Sequence, residues 1–183
     1  MSRVQSIGRV AAVFAFLLVQ AAHADPRVEG PPPALLKRGL SAYTRLSSDG
    51  RVRNPVLTVI DYARPSSQRR LWVLDPGSRA VRFGNEVGSL RSSLGIFLTG
   101  EPYTGMHGWS LRLRGLEPGR NDRAEERAIV MHPADYVSRT FRLQSGGRLG
   151  RSFGCPALDP AVAPRIIERI RSGSVLYAGG PSS

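Results

Sequence analysis

Cys155 is the only cysteine in this 183-residue chain, and it stands in Gly150-Arg151-Ser152-Phe153-Gly154-Cys155-Pro156-Ala157-Leu158. One thiol cannot close an internal disulfide, so it is either a small buried hydrophobe, a bridge to another molecule, or a nucleophile. Gly150 and Gly154 allow tight or left-handed turns and close backbone approach, while Pro156 fixes φ just after the thiol. That pattern suits a nucleophile presented on a turn. A cysteine needs a neighbouring base or cation to become a thiolate at neutral pH, and histidine is the usual supplier. His132 ends an Ile-Val-Met run 23 residues before the cysteine, and beyond the first 24 residues the only other histidine is His107. Two histidines and one cysteine at separations of 25 and 23 residues form no ligand signature, so neither a metal nor a cofactor is expected.

The elements that must carry these residues are legible from periodicity. Residues 1–24 read as a secretory signal peptide: Arg3 and Arg9 give a basic start, residues 10–19 an apolar core and Ala22-His23-Ala24 a small-x-small cleavage site. The apolar run is too short to span a bilayer comfortably, so no stable membrane anchor is expected after cleavage. Residues 25–33 read as a flexible leader, 34–178 as one domain and 179–183 as a tail. Leu35, Leu36, Leu40 and Tyr43 recur at helical spacing, as do Val162, Ile166, Ile167 and Ile170. Strands are predicted over 56–62, 69–74, 80–83, 95–99, 110–113, 128–131 and 175–178, with Trp72 in the core and Asp75-Pro76-Gly77-Ser78 as a turn. Residues 84–93, 100–105 and 116–127 read as loops, and 141–151 as a glycine-rich basic approach to the cysteine. About seven strands and two main helices define a mainly β or α+β domain with one cleft.

The formal charge is +12, and it falls to +10 once the two arginines of residues 1–24 are removed. Nearly all of it is arginine, since Lys37 is the only lysine. Such a balance favours an anionic polymer as partner, beside the plainer reading of a generally basic surface. The arginines are scattered and match no nucleic-acid-binding motif, so no nucleic-acid partner is expected. Arg148 and Arg151 flank the cysteine turn and could pair with substrate carboxylates. Ser152 is first a brace within the turn. Glu117 and Asp122 could receive an amine, and Asp135 or Tyr136 could bond near the His132 imidazole; solvated loop positions are the alternative for each.

Ser152-Phe153-Gly154-Cys155, preceded by a strand-ending His132, resembles the catalytic signature of the L,D-transpeptidases, the YkuD-like murein enzymes. The closer resemblance is to a divergent branch whose motif reads G-R-S-W/F-G-C-P-A-L. In that branch similar strings precede it: Ser92-Ser93-Leu94-Gly95, His107-Gly108-Trp109-Ser110-Leu111-Arg112-Leu113 and Gly115-Leu116-Glu117. Phe153 stands where the commoner pattern has His, Pro156-Ala157 replace an aliphatic residue and Arg or Asn, and the His132 to Cys155 spacer is longer. The segment between Trp72 and Ser92 reads as shortened, which would open the cleft.

The resemblance implies a mixed β-sandwich with helices against it, and acyl transfer on peptidoglycan stem peptides through a Cys155 thioester. His132 would be the base and the Gly154 and Cys155 amides the oxyanion donors, with His107, Ser152, Arg148, Arg151 and Phe153 lining the substrate site. Cross-linking or L,D-carboxypeptidase trimming would follow from the acceptor, in a periplasm or on a secreted, wall-associated enzyme. Two alternatives stand beside it. One is a sortase-like acyltransferase, which shares the His-then-Cys order and could draw on Arg165; the other is a non-catalytic wall-binding domain with an inert thiol.

Overall fold

The computed structural model describes residues 29–88, 93–150 and 152–180. The expected signal peptide, residues 25–28 of the leader, Ser92, Arg151 and residues 181–183 lie outside them. Twelve elements follow in order: α1 (Pro33–Ser48), β1 (Leu57–Asp61), β2 (Leu71–Leu74), β3 (Val81–Asn85), β4 (Gly95–Gly105), β5 (Gly108–Gly115), β6 (Val130–Pro133), a 3-10 turn (Asp135–Val137), α2 (Arg139–Gln144), β7 (Ala157–Leu158), α3 (Ala163–Ile170) and β8 (Val175–Gly179). Among the described residues no helix is long and apolar enough to cross a membrane.

The eight strands join in one mixed sheet of order β3-β2-β1-β8-β4-β5-β6-β7. β1 pairs parallel with β8 and β6 parallel with β7; the remaining pairs are antiparallel. Strand residues alternate between two cores because successive side chains point to opposite faces. Leu57, Val59, Trp72, Leu74, Val175 and Tyr177 face α1, where Ala42 and Leu46 meet them. Ile60, Leu71, Val73, Leu111, Leu113 and Met131 face the other way, under Ile166, Ile167 and Ile170 of α3. The mixed sheet with helices against it is the expected architecture, and both helices fall where their apolar spacing placed them.

Three elements depart from the sequence reading. Residues 100–105, read as a loop, continue β4 to eleven residues. A register shift between Thr99 and Pro102 absorbs Gly100 and Glu101, and a proline at such an irregularity costs little because the ladder is already broken there. β4 and β5 therefore make one long hairpin closed by the Gly105–Gly108 pair. β7 is only two residues, held by pairing to β6 rather than by any pattern of its own. α2 forms within the glycine-rich approach because Ser138 caps it, its hydroxyl accepting from the Phe141 amide at 3.1 Å.

Candidate active site

His132 lies on β6 and Cys155 two residues before β7, so the β6–β7 pairing sets their two segments side by side; no hydrogen bond joins Sγ to the imidazole. His132 is in register with Ala157, and its backbone amide donates to the Pro156 carbonyl at 3.2 Å. The Ala134 amide does the same to Leu158 at 2.9 Å. Two residues beyond Cys155, Ala157 is also clamped from the opposite side: its amide donates to Gly88 at 3.0 Å and its carbonyl accepts from Gly88 at 2.9 Å. The Gly88 segment is in turn held by Arg70, whose buried guanidinium donates through Nε to the Val87 carbonyl at 2.8 Å and through Nη1 to the Arg64 carbonyl at 3.0 Å. Burial lowers the Arg70 pKa, against the raising influence of Tyr62 and Asp61. The sequence reading passed over Arg70 as one arginine among many; its only signal was its place directly ahead of a fully apolar strand.

The turn before Cys155 is braced internally. The Ser152 hydroxyl donates to the Cys155 carbonyl, which supports the bracing role read for it. Gly154 has φ +130, a conformation that side-chain-bearing residues rarely adopt. The amides of Gly154 and Cys155 donate to no described residue. Cys155 is half-buried against the α3-side core, and its Sγ lies 3.8 Å from the Ala128 carbonyl. Tyr136 sits close enough that the Cys155 charge adds to burial in raising its pKa. The Tyr136 carbonyl accepts from the Gly150 amide at 2.7 Å, joining the 3-10 turn to the cysteine segment.

His132 is 2 % exposed. Its Nδ1 lies 2.8 Å from the Pro133 carbonyl. A carbonyl can only accept, so Nδ1 carries the proton and Nε2 is left as the basic nitrogen. Burial lowers the His132 pKa; the Pro133 bond works the other way, and the nearby His107 lowers it further. His107 occupies the β4–β5 hairpin turn, where Gly108 takes φ +76, and its ring stacks on that of His132 with centroids 4.4 Å apart and planes at 24°. The hairpin thus carries the second histidine across to the first.

The other expected site residues divide. Phe153 is 88 % exposed on the cysteine turn. Arg148 is exposed at the end of the glycine-rich approach and has no ion pair among the described residues. Glu117 and Asp122 are structural: Glu117 accepts from the Ile96 amide at 2.6 Å and pairs with Arg120, and Asp122 accepts from the Gly119 amide at 3.1 Å. Neither Asp135 nor Tyr136 bonds the imidazole, whose Nδ1 is held by the Pro133 carbonyl instead. Arg165 lies over the Phe83 ring, 5.6 Å from its centroid, in a groove whose lining includes neither Cys155 nor His132. The large hydrophobic side chains exposed among the described residues all come from three segments: Met106 and Trp109 from the hairpin turn, Phe141 and Leu143 from α2, and Phe153.

The sequence profile of the L,D-transpeptidase catalytic domain family matches residues 76–178, more than half of the chain, and the chain belongs to that family. No curated protein matches it. Among solved structures it is similar to an L,D-transpeptidase from Mycobacterium smegmatis, with 15 % identity and TM-score 0.45 over 68 % of this chain and 58 % of that one. An L,D-transpeptidase from Stackebrandtia nassauensis gives 14 % identity and TM-score 0.46 over 81 % and 69 %. The helical cell-shape-determining protein Pgp2 from Campylobacter jejuni gives 12 % and 0.46 over 78 % and 56 %. The chain thus spans less than two-thirds of the mycobacterial and Campylobacter chains.

Proposed function

We propose that the chain is an exported cysteine acyltransferase that acts on peptidoglycan stem peptides at an L,D bond. The observation that carries this reading is the 2.8 Å approach of His132 Nδ1 to the Pro133 carbonyl: it assigns the proton to Nδ1 and leaves Nε2 to take the Cys155 proton. In the reaction, Sγ gives its proton to Nε2 and adds to the carbonyl carbon of the L-centre residue. The Gly154 and Cys155 amides, which donate to no described residue, stabilise the resulting oxyanion; losing one such donor typically costs about a hundredfold or more. The C–N bond then breaks, the departing D-amino acid takes the proton from His132, and a thioester remains on Cys155. An amine of a second stem, or water, gives a proton to Nε2 and attacks the thioester carbon. The C–S bond breaks and the thiolate recovers the proton. The amine yields a cross-link and water a trimmed stem. Export to the periplasm, or to the wall of a secreting cell, follows from the substrate and from the leader pattern of residues 1–24.

The test is intact-protein mass spectrometry after incubation with disaccharide tetrapeptide, run beside Cys155→Ala. The expected result is an acyl adduct on the wild type, absent from the variant, with D-alanine released. A folded wild-type protein that gave neither adduct nor turnover would refute the assignment and leave wall binding with an inert thiol.

A further inference from the structure

Away from Cys155 and His132, the structure carries a groove of about 820 Å³ between α3 and the loop leading into β1. Four arginines line it, Arg53, Arg165, Arg169 and Arg171, against a single acid, Glu168. Glu168 is already engaged by Arg171 at 2.9 Å. Arg165 and Arg169 have no carboxylate partner among the described residues. Asn54 holds the groove together, its Nδ2 donating to the carbonyls of Arg169 and Arg171 at 3.0 and 2.8 Å. Phe83 supports the Arg165 guanidinium from below.

A second groove of about 550 Å³ adjoins it and shares Arg53. Its other cations are Arg51, Arg112 and Arg114; its acids, Glu101 and Glu125, make only long pairs at 3.9 Å to Arg53 and 3.7 Å to Arg114. Arg112 and Arg114 alternate with buried Leu111 and Leu113, so they share the outer side of β5. The other end of β5 is the turn that stacks His107 on His132. At roughly 3.3 Å per residue, Arg112 stands about 13 Å along the strand from Gly108. A row of guanidiniums therefore extends from the α3 groove toward the hairpin that reaches the site, and a guanidinium fork matches a carboxylate.

We infer that this arginine row is a second binding site, one that holds the carboxylate-bearing stems of a peptidoglycan strand while Cys155 acts on a neighbouring stem. The inference rests on the proposed function for its substrate and extends it to a site that takes no part in the chemistry. The row suits a polymer with repeated carboxylates, since several weak exposed contacts add along one chain where a single stem gains little.

The experiment is co-sedimentation of the protein with insoluble peptidoglycan, comparing wild type, Arg165→Gln/Arg169→Gln, and Arg38→Gln/Arg69→Gln as a control with equal loss of charge on exposed positions elsewhere. The first pair is expected to weaken sedimentation about fivefold, the scale of two exposed ion pairs, with the difference shrinking at high salt. Peptidoglycan stripped of its stems by an amidase should not be held. Cys155 acylation by soluble disaccharide tetrapeptide should proceed at the wild-type rate in both double variants, which also shows that they fold. Equal loss in the two double variants would reduce the row to general surface charge and overturn the inference, and so would full retention on stripped strands. Failure of acylation in every protein, with sedimentation still sensitive to Arg165 and Arg169, would strike the proposed chemistry and spare the binding site.

Discussion

His107 stacks on the buried His132 without bonding to it, so it contributes packing, exclusion of water and a further lowering of the His132 pKa. Replacing His107 by Ala should slow acylation about tenfold, a small part of what a general base supplies. His107→Phe keeps a stacked ring and should restore most of the rate, with the His132 limb of the pH–rate profile moved slightly to higher pH because the lowering influence of His107 is gone. If the Ala and Phe variants fall equally, the imidazole itself is needed and stacking is not its role. His132 also makes a prediction about stability. Its pKa in the fold lies below the ordinary 6.5, burial being the chief cause. As pH drops through 6.5, the unfolded chain binds a proton that the folded chain does not. This stabilising contribution is therefore complete above that pH and declines below it. Urea midpoints taken between about pH 8 and pH 5 should fall more steeply for wild type than for His132→Gln. Superimposable slopes would remove the burial argument.

Asn121 shows how a turn far from the chemistry keeps the site in place. The segment 116–127 has little regular structure, yet Asn121 is buried, and its amide is used fully: Oδ1 accepts from Glu117 at 2.9 Å while Nδ2 donates to Leu94 and Ile96 at 3.0 and 3.1 Å. These bonds tie the turn to β4, and the turn ends at Ala128, whose carbonyl meets Sγ. Asn121→Ala should cost about 2–4 kcal/mol, because it leaves buried backbone groups unpaired. Asn121→Asp should be no milder, since it sets a carboxylate oxygen against two carbonyls. Thermal melting checks both, and a wild-type melting temperature for Asn121→Asp would contradict the geometry. This asparagine was not legible in the sequence, where 116–127 reads simply as a polar loop; its partners are defined only once β4 is in place. The same holds for β7, for the continuation of β4 through Gly100 and Pro102, and for Arg70. Each depends on a partner distant in the chain, which periodicity does not encode. What periodicity does encode, the apolar face of α3 and the alternation of β5, was legible, as was the end of β6 at which His132 stands.

The order of the sheet sets a condition on the whole chain. The family match begins at Pro76, after α1, β1 and β2. Yet β1 lies between β2 and β8 in the middle of the sheet, and the β1–β8 pairing runs in register from Leu57–Val175 to Asp61–Gly179. α1 is also the helix over Trp72, Val175 and Tyr177. A chain starting at Pro76 would leave β8 as a bare central edge and expose one entire apolar face, a combination that favours aggregation. Residues 29–75 should therefore behave as part of the catalytic domain's fold. A protein beginning at Glu29 should unfold cooperatively in urea and form the Cys155 adduct, whereas one beginning at Pro76 should aggregate or lack a cooperative transition. If the shorter chain melts cooperatively with the midpoint of the longer one, β1 is dispensable, and the stability of the site must come from the β4–β7 half of the sheet and α3 alone.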